Sequence, residues 1–378
     1  MESRVYLRES YFTDGEQTVL TTRNLSASTF TYSTGVCGVR LRNERGAVVL
    51  LPYMGQMIWR CEFDGRELAM RSIYTEPERD ARVFGETYGC FLMHCGLTAM
   101  GNPTPKDTHA PHGELPVARY QTVFLVSGED EKGRYIGLGG TYSHKRCYET
   151  NYDFSPLVKL YEGKTSIDVT VSFRNNKDVP LEYYYLCHIN HRAVDGSRLL
   201  YTAPRDSITV YHEVPDDYFS AEIASKTNRY LKKLDNDPGI MDHVGAPGQS
   251  YAPEIVFCCA YESDSEGRAY TMQQYPDGDA VYVIHRPSEL PYGVRWISRT
   301  EDENAMGMVL PATAEHKGRL YCQSKGQGKY LSQGETVTYH IETGLLDSSS
   351  AKEMAEKIMV DTMSAAIPQG AGTQVAQA

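Results

Sequence analysis

The chain has 378 residues, 41 % of them hydrophobic and 23 % charged, the proportions of a globular protein long enough to bury a substantial core. Its formal net charge of −11 comes without a long basic run, which excludes the basic face that non-specific nucleic-acid binding needs. The polar start Met1-Glu2-Ser3-Arg4 lacks the apolar centre of a signal peptide, and no stretch approaches the roughly 20 apolar residues of a membrane-spanning helix, so a cytoplasmic protein is expected.

Tyrosine (28) and glycine (32) are abundant, a pairing that suits pleated strands punctuated by turns. In chain order, the apolar run Ala47 to Pro52 predicts a strand buried on both faces, and Asp64-Gly65 a turn. A Gly-rich approach, Gly96 to Pro103, leads into His109-Ala110-Pro111-His112-Gly113-Glu114-Leu115-Pro116. From Ser166 to Phe173 the residues Ile167, Val169, Val171 and Phe173 share one face of a strand. After the turn Asn175-Asn176-Lys177-Asp178, a strand meets a loop at Cys187-His188-Ile189-Asn190-His191-Arg192. Asp195-Gly196 is a turn, and Thr209, Tyr211 and Glu213 oppose Val210 and His212 in the next candidate strand. Asp235 to Tyr251, rich in Asp, Gly and Pro, predicts a long surface loop. Ile255 to Tyr261, Ala280 to His285 and Thr336 to Ile341 predict further strands, with Asp277-Gly278 as a turn.

Helical pattern is scarce. Its best case is 348–365, with Ser349 or Ser350 as cap and a stripe of Met354, Ile358, Met359 and Met363 to pack on a sheet. Beyond it the Gly/Gln/Ala-rich tail, 366–378, is expected to fray. With no clear linker, residues 1–347 read as a single mainly-β unit, a large sandwich. Nine scattered cysteines (Cys37, Cys61, Cys90, Cys95, Cys147, Cys187, Cys258, Cys259 and Cys322) form no CxxC pair, so free thiols in a reducing compartment are expected.

The chemistry concentrates in two histidine clusters about 75 residues apart. Imidazoles move protons near neutral pH, and they also ligate metals. His109, His112 and Glu114 with His188 or His191 can form such a ligand set, although no zinc-type consensus is met. Trp59 and Trp296 are the only tryptophans. Either can fill core or stack on the apolar face of a pyranose, and Trp296, just before Glu301-Asp302-Glu303, is the better cleft candidate. Arg60 and Arg119 are candidates to bind hydroxyls or the carboxylate of an acidic sugar, with Asn190 and Asp217 as weaker ones.

With these residues in view, the chain resembles the galactose-mutarotase-like superfamily, in an aldose 1-epimerase-like branch. The resemblance is carried by His112-Gly113 after its Gly-rich approach, by His188-Ile189-Asn190 closing a strand, and by Gly307 to Thr313, Gly318-Arg319 and Leu331 to Leu346. It implies a β-supersandwich with a sugar cleft, and mutarotation: a base takes the proton of the anomeric hydroxyl while an acid protonates the ring oxygen. By position it implies His188 as the acid and His112 as a group that binds and polarises the ring. Relatives place the base, a glutamate, immediately before the proline of a C-terminal motif; here Met308-Val309-Leu310-Pro311 puts Leu310 in that slot. Glu114, on the His112 loop, is the first substitute, with Glu315 and the 301–303 triplet behind it; that triplet also reads as a solvated turn.

Three functions follow as expectations: an aldose 1-epimerase-like isomerase without a cofactor, a metal-assisted sugar isomerase, epimerase or lyase using a divalent ion, or a non-catalytic carbohydrate-binding protein. The expected partner is a small-molecule carbohydrate, with no nucleic acid or membrane, and assembly into a homo-oligomer is left open.

Overall fold

Alternation becomes architecture most plainly at Ser166–Asn175. Ile167, Val169, Val171 and Phe173 are at most 1 % exposed, while Asp168, Thr170 and Ser172 stay partly open. Each such burial is worth roughly 1.5–3 kcal/mol, enough to fix which face points inward. The computed structural model describes residues 2–211 and 220–365. The expected tail at 366–378, Asp217, and the His212-Glu213 end of one candidate strand lie outside the described residues.

Among the described residues two antiparallel sheets are formed. One has nine strands, running from Ser3–Tyr6 through Thr122–Asp130, Gly133–Arg146, Thr150–Tyr161, Ser166–Asn175, Thr336–Leu346, Ala280–His285 and Ala269–Gln274 to Arg198–Tyr201. The other has thirteen. Its main path runs from Thr209–Tyr211 through Ile255–Ala260, Tyr292–Arg299, Asn304–Ala312, Leu181–Ile189, Leu92–Leu97, Ile58–Phe63, Gly46–Leu50, Cys37–Arg42 and Leu25–Thr31 to Gln17–Thr22. The main core lies between them, where Val39, Ile58, Cys187 and Ile297 of the larger sheet meet Leu125, Ile136, Val169 and Ile341 of the smaller. The opposite face of the larger sheet carries a second apolar cluster that includes Leu186, Val294, Trp296, Leu310 and Ala312. The mainly-β sandwich is therefore present, with the strands Gly46–Leu50 and Ile255–Ala260 on the expected apolar runs and Ala280–His285 and Thr336–Leu346 where alternation places them.

One irregularity positions the site. In the pairing of Tyr292–Arg299 with Asn304–Ala312, Val294 faces Leu310 but Trp296 faces Gly307. The second strand therefore carries an extra residue there, a β-bulge.

The helices differ from expectation. Ala221–Asn236 forms a helix that the sequence reading leaves out, capped by Ser220, whose Oγ accepts from the Ile223 amide at 3.3 Å. It buries Ala224, Thr227, Tyr230, Leu231 and Leu234 on one face. The expected 235–251 loop begins inside that helix and holds a 3₁₀ turn, Pro238–Asp242. The last helix, Ser348–Ala365, is capped by Asp347 rather than by a serine, because the aspartate Oδ1 accepts from Ser350 N at 2.8 Å. Its docking stripe is Ala351, Met354, Ala355 and Ile358 against Leu200, Tyr270, Met272 and Tyr282. Met359, expected in that stripe, is 45 % exposed. No described helix is long and apolar enough to cross a membrane. All nine cysteines are free thiols.

Candidate functional site

On the second face of the larger sheet, side chains from four adjacent strands, with Val256 of Ile255–Ala260 among them, line one cavity of about 440 Å³. Leu186 and His188 come from Leu181–Ile189, Val294, Trp296 and Ser298 from Tyr292–Arg299, and Leu310 from Asn304–Ala312. Loops add Tyr74, Tyr88, His112, Glu254, Asp302, Glu303 and His316.

His188 is 4 % exposed, and strand alternation turns it to the cavity while Cys187 and Ile189 enter the main core. Its Nδ1 lies 2.7 Å from Asn190 Oδ1. The Asn190 amide is oriented by two further bonds: its Nδ2 donates to the Cys90 carbonyl at 3.0 Å, and the Tyr88 hydroxyl donates to its Oδ1 at 3.1 Å. That network assigns the proton of the neutral imidazole to Nδ1 and leaves Nε2 as the lone pair. Burial, and then the neighbouring His112, hold the His188 pKa well below its ordinary value.

His112 reaches the cavity through backbone that few residues adopt. Its φ is 61°, and Gly113 follows at 77°. The loop is clamped to Gly96: Gly96 N donates to the His112 carbonyl, while Glu114 N and Leu115 N donate to the Gly96 carbonyl, each at 2.9 Å. The His112 ring meets His188 edge-on with centroids 5.3 Å apart, and meets Phe84 at 4.9 Å. Burial lowers its pKa to about 3, assisted by His316 and His109.

Trp296 packs against His188 at 5.5 Å and against Tyr88 at 6.0 Å. Its Nε1–H donates to Glu254 Oε2 at 2.5 Å. Glu254 precedes Ile255–Ala260, where Val256 faces Trp296 across the ladder, so the carboxylate arrives beside the indole through strand pairing. Burial raises the Glu254 pKa against the opposing pull of the indole N–H. Burial also raises that of Glu303, followed by the nearby charges of Asp302 and Glu254.

The structure thus brings together His112, His188 and Trp296, with Asn190 behind His188. Other expected residues are placed elsewhere. The Glu114 carboxylate lies outside the cavity, where it accepts from Thr98 N at 3.0 Å, Thr98 Oγ1 at 2.9 Å and, on the smaller sheet, Tyr152 OH at 2.7 Å. Arg119 is exposed and donates to the Arg79 carbonyl. Arg60 donates to the carbonyls of Trp59, Gly89 and Thr75, so it ties down the 74–90 segment without lining the cavity. Trp59 is fully buried core. Glu315 is held by Gln327 and Tyr211 outside the cavity. Within the 301–303 triplet, expected as a solvated turn, Asp302 and Glu303 line the cavity.

The residues expected to hold a metal are not gathered. His109 Nε2 accepts from Arg319 N at 3.3 Å, and its Nδ1 lies 2.8 Å from the Ala110 carbonyl. Glu114 is engaged as above, and His191 points into the main core against Phe91. No three His, Cys, Asp or Glu side chains among the described residues stand at metal-ligating spacing. Glu254, His316, Tyr74 and Tyr88 are among the lining residues that sequence reasoning missed. For Glu254 the available signal was a lone carboxylate opening a buried strand.

A family model, Domain of unknown function (DUF4432), matches residues 33–345. The chain belongs to this family. Among solved structures, one described as a "putative aldose 1-epimerase" from Klebsiella pneumoniae is 16 % identical, with 96 % of each chain covered and a TM-score of 0.77. A galactose mutarotase-like protein from Clostridium acetobutylicum is 11 % identical over 86 % of this chain and 100 % of its own, with a TM-score of 0.54. These likenesses establish the galactose mutarotase-like sandwich fold for this family member. No curated protein matches the chain.

Proposed function

We propose that the cavity binds a free, uncharged sugar and exchanges its anomers by acid–base catalysis, an aldose 1-epimerase-like activity. The observation that carries this reading is the contact of His188 with both His112 and Trp296 in one cavity of a mutarotase-like sandwich. Two imidazoles beside an indole face join proton-handling groups to a surface for the C–H side of a pyranose. The cavity volume falls in the roughly 300–1,000 Å³ range of small-molecule sites.

Charge selects within sugars. Among the described lining residues there is no lysine or arginine, whereas Glu254, Asp302 and Glu303 are present. A phosphate or carboxylate placed there would meet the Asp302 and Glu303 side chains without a counter-ion. The nine free thiols support a reducing, cytoplasmic setting.

NMR exchange spectroscopy on neutral aldoses, with sugar phosphates and uronates as controls, tests the reading. Anomer exchange faster than in buffer is expected for at least one neutral aldose and for none of the charged controls. His188→Ala should slow it about 10²- to 10⁴-fold. If no neutral aldose exchanges faster than in buffer, the enzymatic reading fails. The second reading, sugar binding without turnover, is favoured by Leu310, which gives the cavity an apolar floor only 2 % exposed. Saturation-transfer signals from a sugar that does not exchange would support it.

A further inference from the structure

We propose that Glu254 is the carboxyl group that works with His188, in a polarity opposite to the one the resemblance implies: neutral His188 takes the anomeric proton at Nε2 and the Glu254 carboxyl gives its proton to the ring oxygen. This rests on the sugar reading above and assigns its proton donor and acceptor.

Three observations converge. First, the site keeps a carboxyl group although Leu310 supplies none. Leu310 pairs with Val294, and one strand beyond, Glu254 enters the same cavity beside Val256, which pairs with Trp296. Second, Glu254 is fixed. Trp296 Nε1–H donates to it at 2.5 Å, and the same indole meets the His188 ring edge-on. The other candidates are engaged elsewhere (Glu114 with Thr98 and Tyr152, Glu315 with Gln327), while Glu303 sits on the turn beside the exposed Asp302. Third, His188 has already placed its one neutral-state proton in the bond to Asn190. Its cavity-side nitrogen can therefore accept a proton but has none to give until it has accepted one.

Burial lowers the basicity of His188 and raises the Glu254 pKa. Both changes favour the uncharged pair over an ion pair in the resting site. The groups facing this pair are His112 and His316, which burial keeps neutral, Tyr88, whose hydroxyl burial keeps protonated, and Asp302 and Glu303, of which Glu303 has its own pKa raised by burial and then by the charges of Asp302 and Glu254.

The step balances. His188 Nε2 takes the proton from the anomeric hydroxyl, whose O–H electrons form the C1=O bond. The C1–ring-oxygen bond breaks, and its electron pair takes the Glu254 proton. The site is then imidazolium and carboxylate around an open-chain aldehyde. After rotation about C1–C2 the same transfers run backward, returning both protons and closing the ring on the other face.

The test combines turnover with a reading of protonation. On the neutral aldose that the wild type exchanges fastest, Glu254→Gln should lose at least 100-fold in exchange rate while saturation-transfer binding of that sugar persists. Glu254→Asp should recover part of the loss. The Trp296 indole N–H signal should shift with a midpoint above the ordinary glutamate value of about 4.3, and that step should vanish in Glu254→Gln. The ¹⁵N spectrum of His188 should show a proton on Nδ1 and none on Nε2 at neutral pH. Full exchange by Glu254→Gln, or a protonated His188 Nε2 at neutral pH, overturns the assignment and leaves the sugar reading standing. A wild type that exchanges no neutral aldose removes the sugar reading and this assignment with it.

Discussion

Gly113 has no side chain because nothing fits there. A Cβ would stand 2.2 Å from the Ala99 carbonyl oxygen and 2.4 Å from that of Gly96, at a φ of +77°. Gly113→Ala should therefore destabilise the fold by about 2–4 kcal/mol, read as a lower urea midpoint, because both the strain and the clash must be relieved. Gly65, at +74° with nothing within 4 Å, is the control, and its alanine variant should cost only about 1 kcal/mol. The same loop explains which site residues could be read in advance. His112 and His188 were visible because two imidazole clusters are unusual in any sequence. Glu114 misled through proximity, since the turn at Gly113 sends its carboxylate to Thr98 and Tyr152. Glu254 was hidden because only the pairing of Val256 with Trp296 carries it to the indole.

At the scale of elements, the last helix is held by a single anion as well as by its apolar stripe. Asp264 accepts from Lys357 Nζ at 2.8 Å, Tyr270 OH at 2.6 Å, and the amides of Glu266 and Arg268 at 2.9 Å. Burial alone would raise its pKa, but these bonds outweigh it and the pKa is lowered. A depressed carboxylate pKa contributes stability that is complete above the unfolded value, near 3.9, and is lost as pH falls through the folded value. Asp264→Asn should cost about 2 kcal/mol near neutral pH and speed hydrogen exchange in Ser348–Ala365 before it does so in the sheets. This helix was legible from its apolar periodicity, and the strands from alternation or from continuous apolar runs. Ala221–Asn236 was not, because Thr227 interrupts its buried stripe. That hydroxyl is satisfied by Ser250 and the Ala252 carbonyl, partners known only once the chain has folded.

For the whole molecule, buried imidazoles set the response to acid. Burial lowers the pKa of His94, His112, His191 and His285 to about 3, and that of His316 to about 4. His188 is also lowered. An unfolded histidine binds a proton near pH 6.5, so between about 3 and 6.5 the unfolded chain holds more protons than the folded one. Stability then rises with pH in that window and levels off above it. Unfolding at pH 5 should take up several more protons than unfolding at pH 8, and the melting temperature should fall below about pH 6.5, before most carboxylates titrate. Equal melting temperatures at pH 5 and pH 7.5 would contradict the neutral burial of these rings. His340 works against the trend, since its bond to Glu289 raises its pKa, but it is one exposed pair.

The bulge opposite Arg295 gives Asn304–Ala312 two halves of opposite phase. Before it, Ala305 belongs to the cavity-side cluster, and Met306 and Met308 to the main core. After it, Val309 still faces the core, and Leu310 and Ala312 face the cavity. Leu310 then folds over Gly307, three positions back, where a Cβ would stand 2.4 Å from Leu310 Cδ2. A strand without the extra residue would present Val309 to the cavity and turn position 310 inward. The chemistry of the cavity floor is therefore addressed by counting from the bulge. Deleting one residue there would exchange the lining without any substitution, whereas Leu310→Glu in the intact strand would set a carboxylate on the cavity floor.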